Sequence, residues 1–221
     1  KSRYFVFWDD NFFADADYAV ALMKELAPLH KHWAAQVTMA ECENEILLRE
    51  ARDAGCLYLF IGMESFSEAS LTDAGKRINR VNDYGKIIRN LHRHGIMVQA
   101  GIIFGFDSDG ADVFEDTLSA CEQLGIDGVT ASILTPLPKT PIYEEMRRDG
   151  RLIAEDWSRY DGKTQVAFMP KHMTPEQLYA GYMDFRRHFY SLPSFIKRMH
   201  VSGTHTFYNF LMNLGYRFSI Q

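Results

Sequence analysis

The chain has 221 residues, the length of one domain with additions, and its 47% hydrophobic and 14% aromatic content can fill a sizeable core. A formal net charge of −5 excludes the strong basic field that general nucleic-acid binding requires. No signal-peptide pattern and no apolar run near the ~18 residues of a membrane span is present, and three scattered cysteines, Cys42, Cys56 and Cys121, fit a reducing compartment better than a disulfide framework. The expected location is the cytoplasm.

In chain order, Arg3 to Trp8 reads as a strand that stops at Asp9-Asp10-Asn11. Asp15 can cap a helix carrying Ala19, Leu22, Met23 and Leu26 at i, i+3, i+4 and i+7, ended by Pro28. His32 to Met39 is a second strand, with Gln36 and Thr38 on one face, and Glu41 to Ala54 a helix closed by Gly55. Cys56 to Gly62 is a continuous apolar strand that runs into Glu64 and Ser65. Glu68 to Arg80 is a polar connection with a helical turn or two. Asn82 to His94 is a helix with Tyr84, Ile87, Ile88 and Leu91 on one stripe and Gly95 beyond it. Ile96 to Phe106 is the fourth strand. Ser108 or Asp109 is placed to cap the next helix, which carries Val113, Thr117, Cys121 and Leu124 and closes at Gly125. Gly128 to Leu134 is the fifth strand and ends at Pro136.

Strand and helix alternate with connections of crossover length, so the strands are expected to form a parallel sheet with right-handed crossovers. Five strands cannot close a regular eight-stranded barrel. The expectation is α/β: a partial parallel TIM-like barrel over residues 1–141 and an α-helical extension over 142–221, packed on the barrel. In the extension Ile142 to Asp149 reads as a short helix and Glu155 to Phe168 as irregular. Thr174-Pro175-Glu176-Gln177 starts a helix with Thr at N-cap, Pro at N1 and Gln at N3. From Arg186 to Gln221 there is no acidic residue. This aromatic, basic tail shows no clean amphipathic period and is read as packing on its own domain.

Polar groups at the carboxyl edge of a parallel sheet face the ligand side. Asp9, Asp10 and Asn11 could hold an ammonium, a ribose hydroxyl or a metal, or only cap a turn. Gly62 admits a ligand to the backbone, and Glu64 and Ser65 offer an acceptor and a donor beside it. Gly101 and Gly105 flank Ile103, where lost side chains mark either close approach of a flat ligand or tight packing against a helix. The cysteines are too far apart for a local zinc or iron–sulfur signature and are expected to be buried. His92 and His94 sit where they favour a helix dipole.

Four segments in order, Phe7-Trp8-Asp9-Asp10-Asn11-Phe12, Phe60-Ile61-Gly62-Met63-Glu64-Ser65, Gly101-Ile102-Ile103-Phe104-Gly105-Phe106-Asp107 and Leu134-Thr135-Pro136-Leu137-Pro138-Lys139-Thr140-Pro141, resemble the radical S-adenosylmethionine (SAM) superfamily. Together with Arg151, Asp156-Trp157, Tyr160-Asp161 and Met173-Thr174-Pro175 they are most similar to its cobalamin-binding subgroup, which includes hopanoid methylases. The resemblance implies a partial six-stranded barrel, of which five strands are present. It implies a [4Fe-4S] cluster held by a CxxxCxxC loop, SAM bound at the cluster, and in this subgroup a corrinoid domain. No CxxxCxxC occurs here, so cluster ligands and any cobalamin domain are expected in an N-terminal part before Lys1. By the same resemblance Asp9, Asp10 and Asn11 lie where the family contacts the SAM amino group, and Glu64 and Ser65 where it contacts ribose or the methionine carboxylate. The Gly101 to Gly105 strand lies where the family's backbone reads adenine. Leu134 to Pro136 lies beside adenine and substrate.

The expected function is the SAM- and substrate-contacting portion of a radical SAM enzyme, in the methyltransferase class, with a small molecule or a lipid as substrate. The chain alone is expected to be inactive and to bind SAM weakly. Two other readings stay open on sequence: a barrel-derived binding or scaffold domain without a cluster, and a lyase or hydrolase using Asp10 and Glu64.

Overall fold

Alternation of apolar side chains along the third strand sets the layering. In a computed structural model, which describes residues 2–75, 79–153 and 160–219, strand β3 spans Cys56–Glu64. Its Leu57, Leu59, Ile61 and Met63 are buried, while Tyr58, Phe60, Gly62 and Glu64 are half-buried on the opposite face. Period-2 alternation of this kind puts one face against covering helices and the other toward an open interior. The five strands β1 (Tyr4–Val6), β2 (His32–Val37), β3, β4 (Met97–Phe104) and β5 (Gly128–Ile133) are all parallel and lie in sequential order. Together they make the curled partial barrel that the alternation predicts.

Five helices supply or flank the crossovers: α1 (Ala16–Leu26), α2 (Glu45–Asp53), α3 (Glu68–Asp73), α4 (Val81–Arg93) and α5 (Val113–Leu124). Their buried faces, Ala19 and Met23 on α1, Leu47, Leu48 and Ala51 on α2, and Tyr84, Ile87, Ile88 and Leu91 on α4, join the outer strand face in one core. Asp15 caps α1 by accepting from Tyr18 N at 3.0 Å, as its position predicts. A cap of this kind is worth about 1 kcal/mol.

Several expectations need correction. β1 is only three residues long, although Phe7 N still donates to Ala34 O at 2.9 Å. The predicted helix over Glu41 to Ala54 breaks into a 3-10 turn, Ala40–Glu43, and α2, because the Asn44 side chain accepts from Ile46 N and Leu47 N and starts a new helix there. Neither Ser108 nor Asp109 caps α5; Asp112 stands at its N-cap without a side-chain bond. His92 pairs with Asp127 rather than merely facing a dipole.

Beyond the sheet, α6 (Pro141–Arg148) is capped by Thr140, and α7 (Pro175–Phe189) opens with the predicted box: Gln177 N donates to Thr174 Oγ1 at 3.2 Å and Thr174 N to Gln177 Oε1 at 2.8 Å. Asp156 and Trp157 lie outside the described residues. The acid-free tail forms two further helices, α8 (Leu192–Ser202) and α9 (Thr206–Phe218). They are fixed by buried polar groups. Arg198, 1% exposed, donates to the carbonyls of Ile126, Asp127 and Phe189 and to Asn213 Oδ1. The Asp127 carboxylate accepts from Val98 N, Ser202, Thr204 and Asn209.

Candidate functional site

The inner strand face and its carboxyl rim carry two hollows. A cleft of about 610 Å³ at the rim brings together Glu64, Ile103 and Leu134, from the ends of three successive strands, with Asp107, Arg151 and Lys171. A pocket of about 390 Å³ lies toward the β1 side, with Asp9 and Asp10 in its wall. Gly62 and Gly101 face each other in the β3–β4 register but line neither hollow.

At both glycines a neighbouring side chain already takes the space a Cβ would need. A Cβ on Gly101 would stand 2.8 Å from Phe60 Cζ, and one on Gly62 would stand 2.9 Å from Glu64 Oε1. Gly105 is different: its φ is +106°, and the space where a Cβ would go is filled by Leu178 and Phe168. There the tight-packing alternative describes the contact.

Glu64 is built by a bulge. The β3–β4 register shifts between Gly62 and Glu64, and Glu64 has φ 68°, a left-handed conformation costing about 1 kcal/mol for a residue with a Cβ. Two buried side chains hold it. The Tyr84 hydroxyl donates to Met63 O at 2.9 Å, and Asn79 Nδ2 donates to Gly62 O at 3.0 Å. Burial, then the charges of Glu68 and Glu64, push the Tyr84 phenol far above its ordinary range, so it stays a donor. Sequence reading places Tyr84 only on a core stripe, and nothing local to Asn79 announces its part.

The next strand end is locked by Asp109, whose Oδ2 accepts from Gly105 N at 2.8 Å and Phe106 N at 3.0 Å, while Ser70 Oγ donates to Oδ1 at 2.6 Å. Burial raises its pKa despite these donors. Asp107 faces the cleft wall, where Arg151 grips both its oxygens at 3.0 and 2.5 Å and Lys171 adds a contact at 2.6 Å. Burial works against ionisation there, but the two cations outweigh it and Asp107 is held below the usual carboxylate range.

The other predicted residues take local roles. Asn11 accepts from Phe13 N at 3.2 Å and donates to Glu41 at 3.1 Å. Ser65 is buried, with its Oγ accepting from Ser67 N at 3.0 Å. Pro136 is buried and lines neither hollow. Among the described residues no group of three His, Cys, Asp or Glu could hold a metal ion. Cys42, Cys56 and Cys121 are buried and unbridged. Burial pushes Cys42 and Cys121 up to about 12 and Cys56 well above its ordinary value.

Comparison with known proteins gives this geometry a context. Residues 140–210 match a family described as a domain of unknown function, DUF4070. The bacteriochlorophyllide d C-12(1)-methyltransferase of Chlorobaculum tepidum is 34% identical over 215 residues, 96% of this chain and 46% of that protein. The hopanoid C-2 methylase of Rhodopseudomonas palustris is 29% identical over 213 residues, 93% of this chain and 38% of that one. The chain therefore spans less than half the length of these curated relatives. The radical SAM methyltransferase TsrM from Kitasatospora setae, solved with cobalamin and an iron–sulfur cluster bound, superposes with a TM-score of 0.58 at 16% identity, over 84% of this chain and 37% of TsrM. Coproporphyrinogen III oxidase from Escherichia coli, a radical SAM enzyme, gives 0.51 at 18% identity, over 62% of this chain and 32% of its own. At such identities the likeness is one of fold.

Proposed function

From the premise of a radical SAM barrel whose sequence relatives include methyltransferases, we propose that this chain is the SAM- and substrate-contacting portion of a radical SAM methyltransferase. The observation that carries the reading is the convergence of Glu64, Ile103 and Leu134 from three strand ends on one cleft. The cleft holds four carboxylates, Glu64, Asp73, Asp107 and Glu145, against two cations, Arg151 and Lys171. That balance favours a positively charged ligand, and SAM carries a sulfonium and an ammonium.

SAM therefore fits the residues present. When bound it supplies the methyl or deoxyadenosyl group. The carboxylate of Glu64 would hold a ribose hydroxyl, Ile103 and Leu134 would cover an apolar ring face, and Asp9 and Asp10 would face the ammonium end.

The iron–sulfur cluster does not fit the described residues. The three thiols are buried, and among the described residues no group of three His, Cys, Asp or Glu could hold a metal ion. Its ligands, and any cobalamin domain, belong in this reading to another part of a longer cytoplasmic protein. The chain by itself is then inactive and binds SAM weakly. In the same reading residues 1–141 act as the barrel and 142–221 as the extension that closes over it. No described helix is long and apolar enough to cross a membrane. The substrate is a small molecule or a lipid.

Titration calorimetry of SAM against the isolated chain and the full-length protein tests this. Weak binding to the chain and tight, Glu64-dependent binding to the whole protein is the expected result. Micromolar affinity of the isolated chain, or binding indifferent to Glu64→Gln, contradicts it.

A further inference from the structure

We infer that the C-terminal helix α9 builds the floor of the second pocket and that this pocket admits a ring-bearing ligand group that is not anionic. The inference rests on the reading of the barrel as an enzyme interior, and deepens it by assigning a substrate class. It starts from the chemistry of the walls. The pocket offers the aromatic faces of Tyr58, Phe60 and Tyr216 and the neutral polar groups of Gln36, Gln99 and Thr130. Among the described residues no Lys, Arg or His lines it, and its charged members are Asp9 and Asp10. A carboxylate or phosphate entering there would lose water, find no counter-charge and face two acids. A flat neutral ring would exchange water for aromatic contact.

Tyr216 is the component that the sheet does not supply. Its ring stacks on Tyr190 with centroids 5.1 Å apart and planes 17° apart, and the Tyr190 hydroxyl donates to Val129 O at 2.7 Å while accepting from Val129 N at 3.0 Å. Its own hydroxyl accepts from Gln99 Nε2 at 3.2 Å, and the same amide donates to Thr130 Oγ1 at 3.0 Å. Asn209 and Asn213, on the same helix, bond to Asp127. The ring is thus positioned from three sides.

Gln99 anchors the floor from the sheet side. It is 3% exposed, and its Oε1 has no hydrogen-bond partner among the described residues. That oxygen is turned against Gly128, where a Cβ would stand 2.1 Å from it, so Gln99 serves the pocket through its amide nitrogen, which donates to the Tyr216 and Thr130 hydroxyls. Tyr216 is accordingly a specificity-determining residue set on the tail, outside the matched 140–210 segment.

Calorimetry with two probes sharing one ring system, 2-naphthol and 2-naphthoate, tests the idea on the full-length protein at neutral pH. Naphthol is expected to bind about tenfold or more tightly than naphthoate, Tyr216→Ala to weaken naphthol about fivefold or more, and Tyr216→Phe to retain most of its affinity. Gln99→Leu is a second variant, expected to weaken naphthol by releasing the Tyr216 hydroxyl from the sheet. SAM titration on the same samples separates the two readings: naphthol selectivity without SAM binding sinks the proposed function and spares this pocket. Equal or tighter binding of naphthoate, or naphthol affinity unmoved in both Tyr216→Ala and Gln99→Leu, overturns the inference.

Discussion

The Tyr84 hydroxyl donates to the Met63 carbonyl at 2.9 Å, one residue before the left-handed Glu64, and also to Ser65 O at 3.2 Å, one residue after it. A helix side chain therefore straddles the bulge that turns Glu64 toward the cleft. Tyr84→Phe keeps the ring and removes the donor shared by both carbonyls, leaving Met63 O to Ser65 N and Asn79 and taking the Tyr84 donor from Ser65 O. The expected cost is about 1–3 kcal/mol in urea unfolding. Because the bulge also loosens, SAM affinity of the full-length protein should fall with it. Unchanged affinity at reduced stability would show that the bulge is held by Asn79 alone.

Asp107 makes the rim sensitive to acid. Its folded pKa is depressed, since Arg151 and Lys171 outweigh the effect of burial. A depressed carboxylate contributes stability that is present above its unfolded value, about 3.9, and is lost as pH falls through the lower folded value. Asp107 is 23% exposed and Lys171 47%, so solvent screening keeps the contribution small, about 1 kcal/mol. Thermal melts of the parent and Asp107→Asn should differ by a constant few degrees at neutral pH, and the gap should shrink steadily as pH falls below about 4. A gap that persists undiminished at pH 2.5 would mean the ion pair is not its source.

How much of this was open to a reader of the sequence depends on range. The five strands and the helices from α1 to α5 follow from local signals, period-2 runs ended by glycine and 3.6-period stripes, and they occur where those signals stand. Errors arise where a side chain bonds to something sequence-distant or unexpectedly near. Asn44 interrupts a helix that its neighbours' propensity would continue. Asp109 turns back to Gly105 and Phe106 instead of forward to α5. The tail's apolar stripe was obscured because α8 and α9 bury Asn209, Asn213 and Arg198, so polar residues point inward while Phe207, Phe210 and Phe218 are exposed. At the rim, the sequence marks Glu64 and Leu134 correctly as strand ends. It has no means of showing that Arg151 and Lys171 return to the same cleft.

Gly101 offers a test of the packing between β3 and β4. Alanine there places a Cβ 2.8 Å from the Phe60 ring, so Phe60 must swing into the interior. Overpacking of this kind costs about 1–3 kcal/mol. The displaced ring also invades the second pocket, which Phe60 lines. Gly101→Ala should therefore weaken 2-naphthol more than the stability loss alone predicts, and Gly101→Ala with Phe60→Leu should recover part of both. Failure of the double variant to recover either would place the strain elsewhere.

The three thiols give a chemical count. The thiolate is the reactive form, and burial holds Cys42 and Cys121 near 12 and Cys56 well above its ordinary value. At pH 8 all three should resist a thiol reagent such as Ellman's in the native protein and react fully in denaturant. One fast-reacting thiol under native conditions would contradict the burial.

The last test concerns the attachment of the tail. The Asp127 carboxylate, fully buried, takes donors from four elements: His92 on α4, Val98 N on β4, Ser202 on α8 and Asn209 on α9. Thr204, between the last two helices, adds a fifth at 3.2 Å. Nothing apolar could satisfy these groups, and removing the common acceptor leaves them all unpaired in a dry site. Asp127→Ala should cost about 3–5 kcal/mol, the range for breaking a buried charged network. Since α9 carries Tyr216, the loss should appear in two places at once. Hydrogen exchange should rise in 192–218 before it rises in β3 or β4, and the naphthol probe should lose affinity in step. If the whole chain instead unfolds in a single transition with no early exchange in the tail, then α8 and α9 are part of the barrel's cooperative unit, and the floor of the pocket cannot open without it.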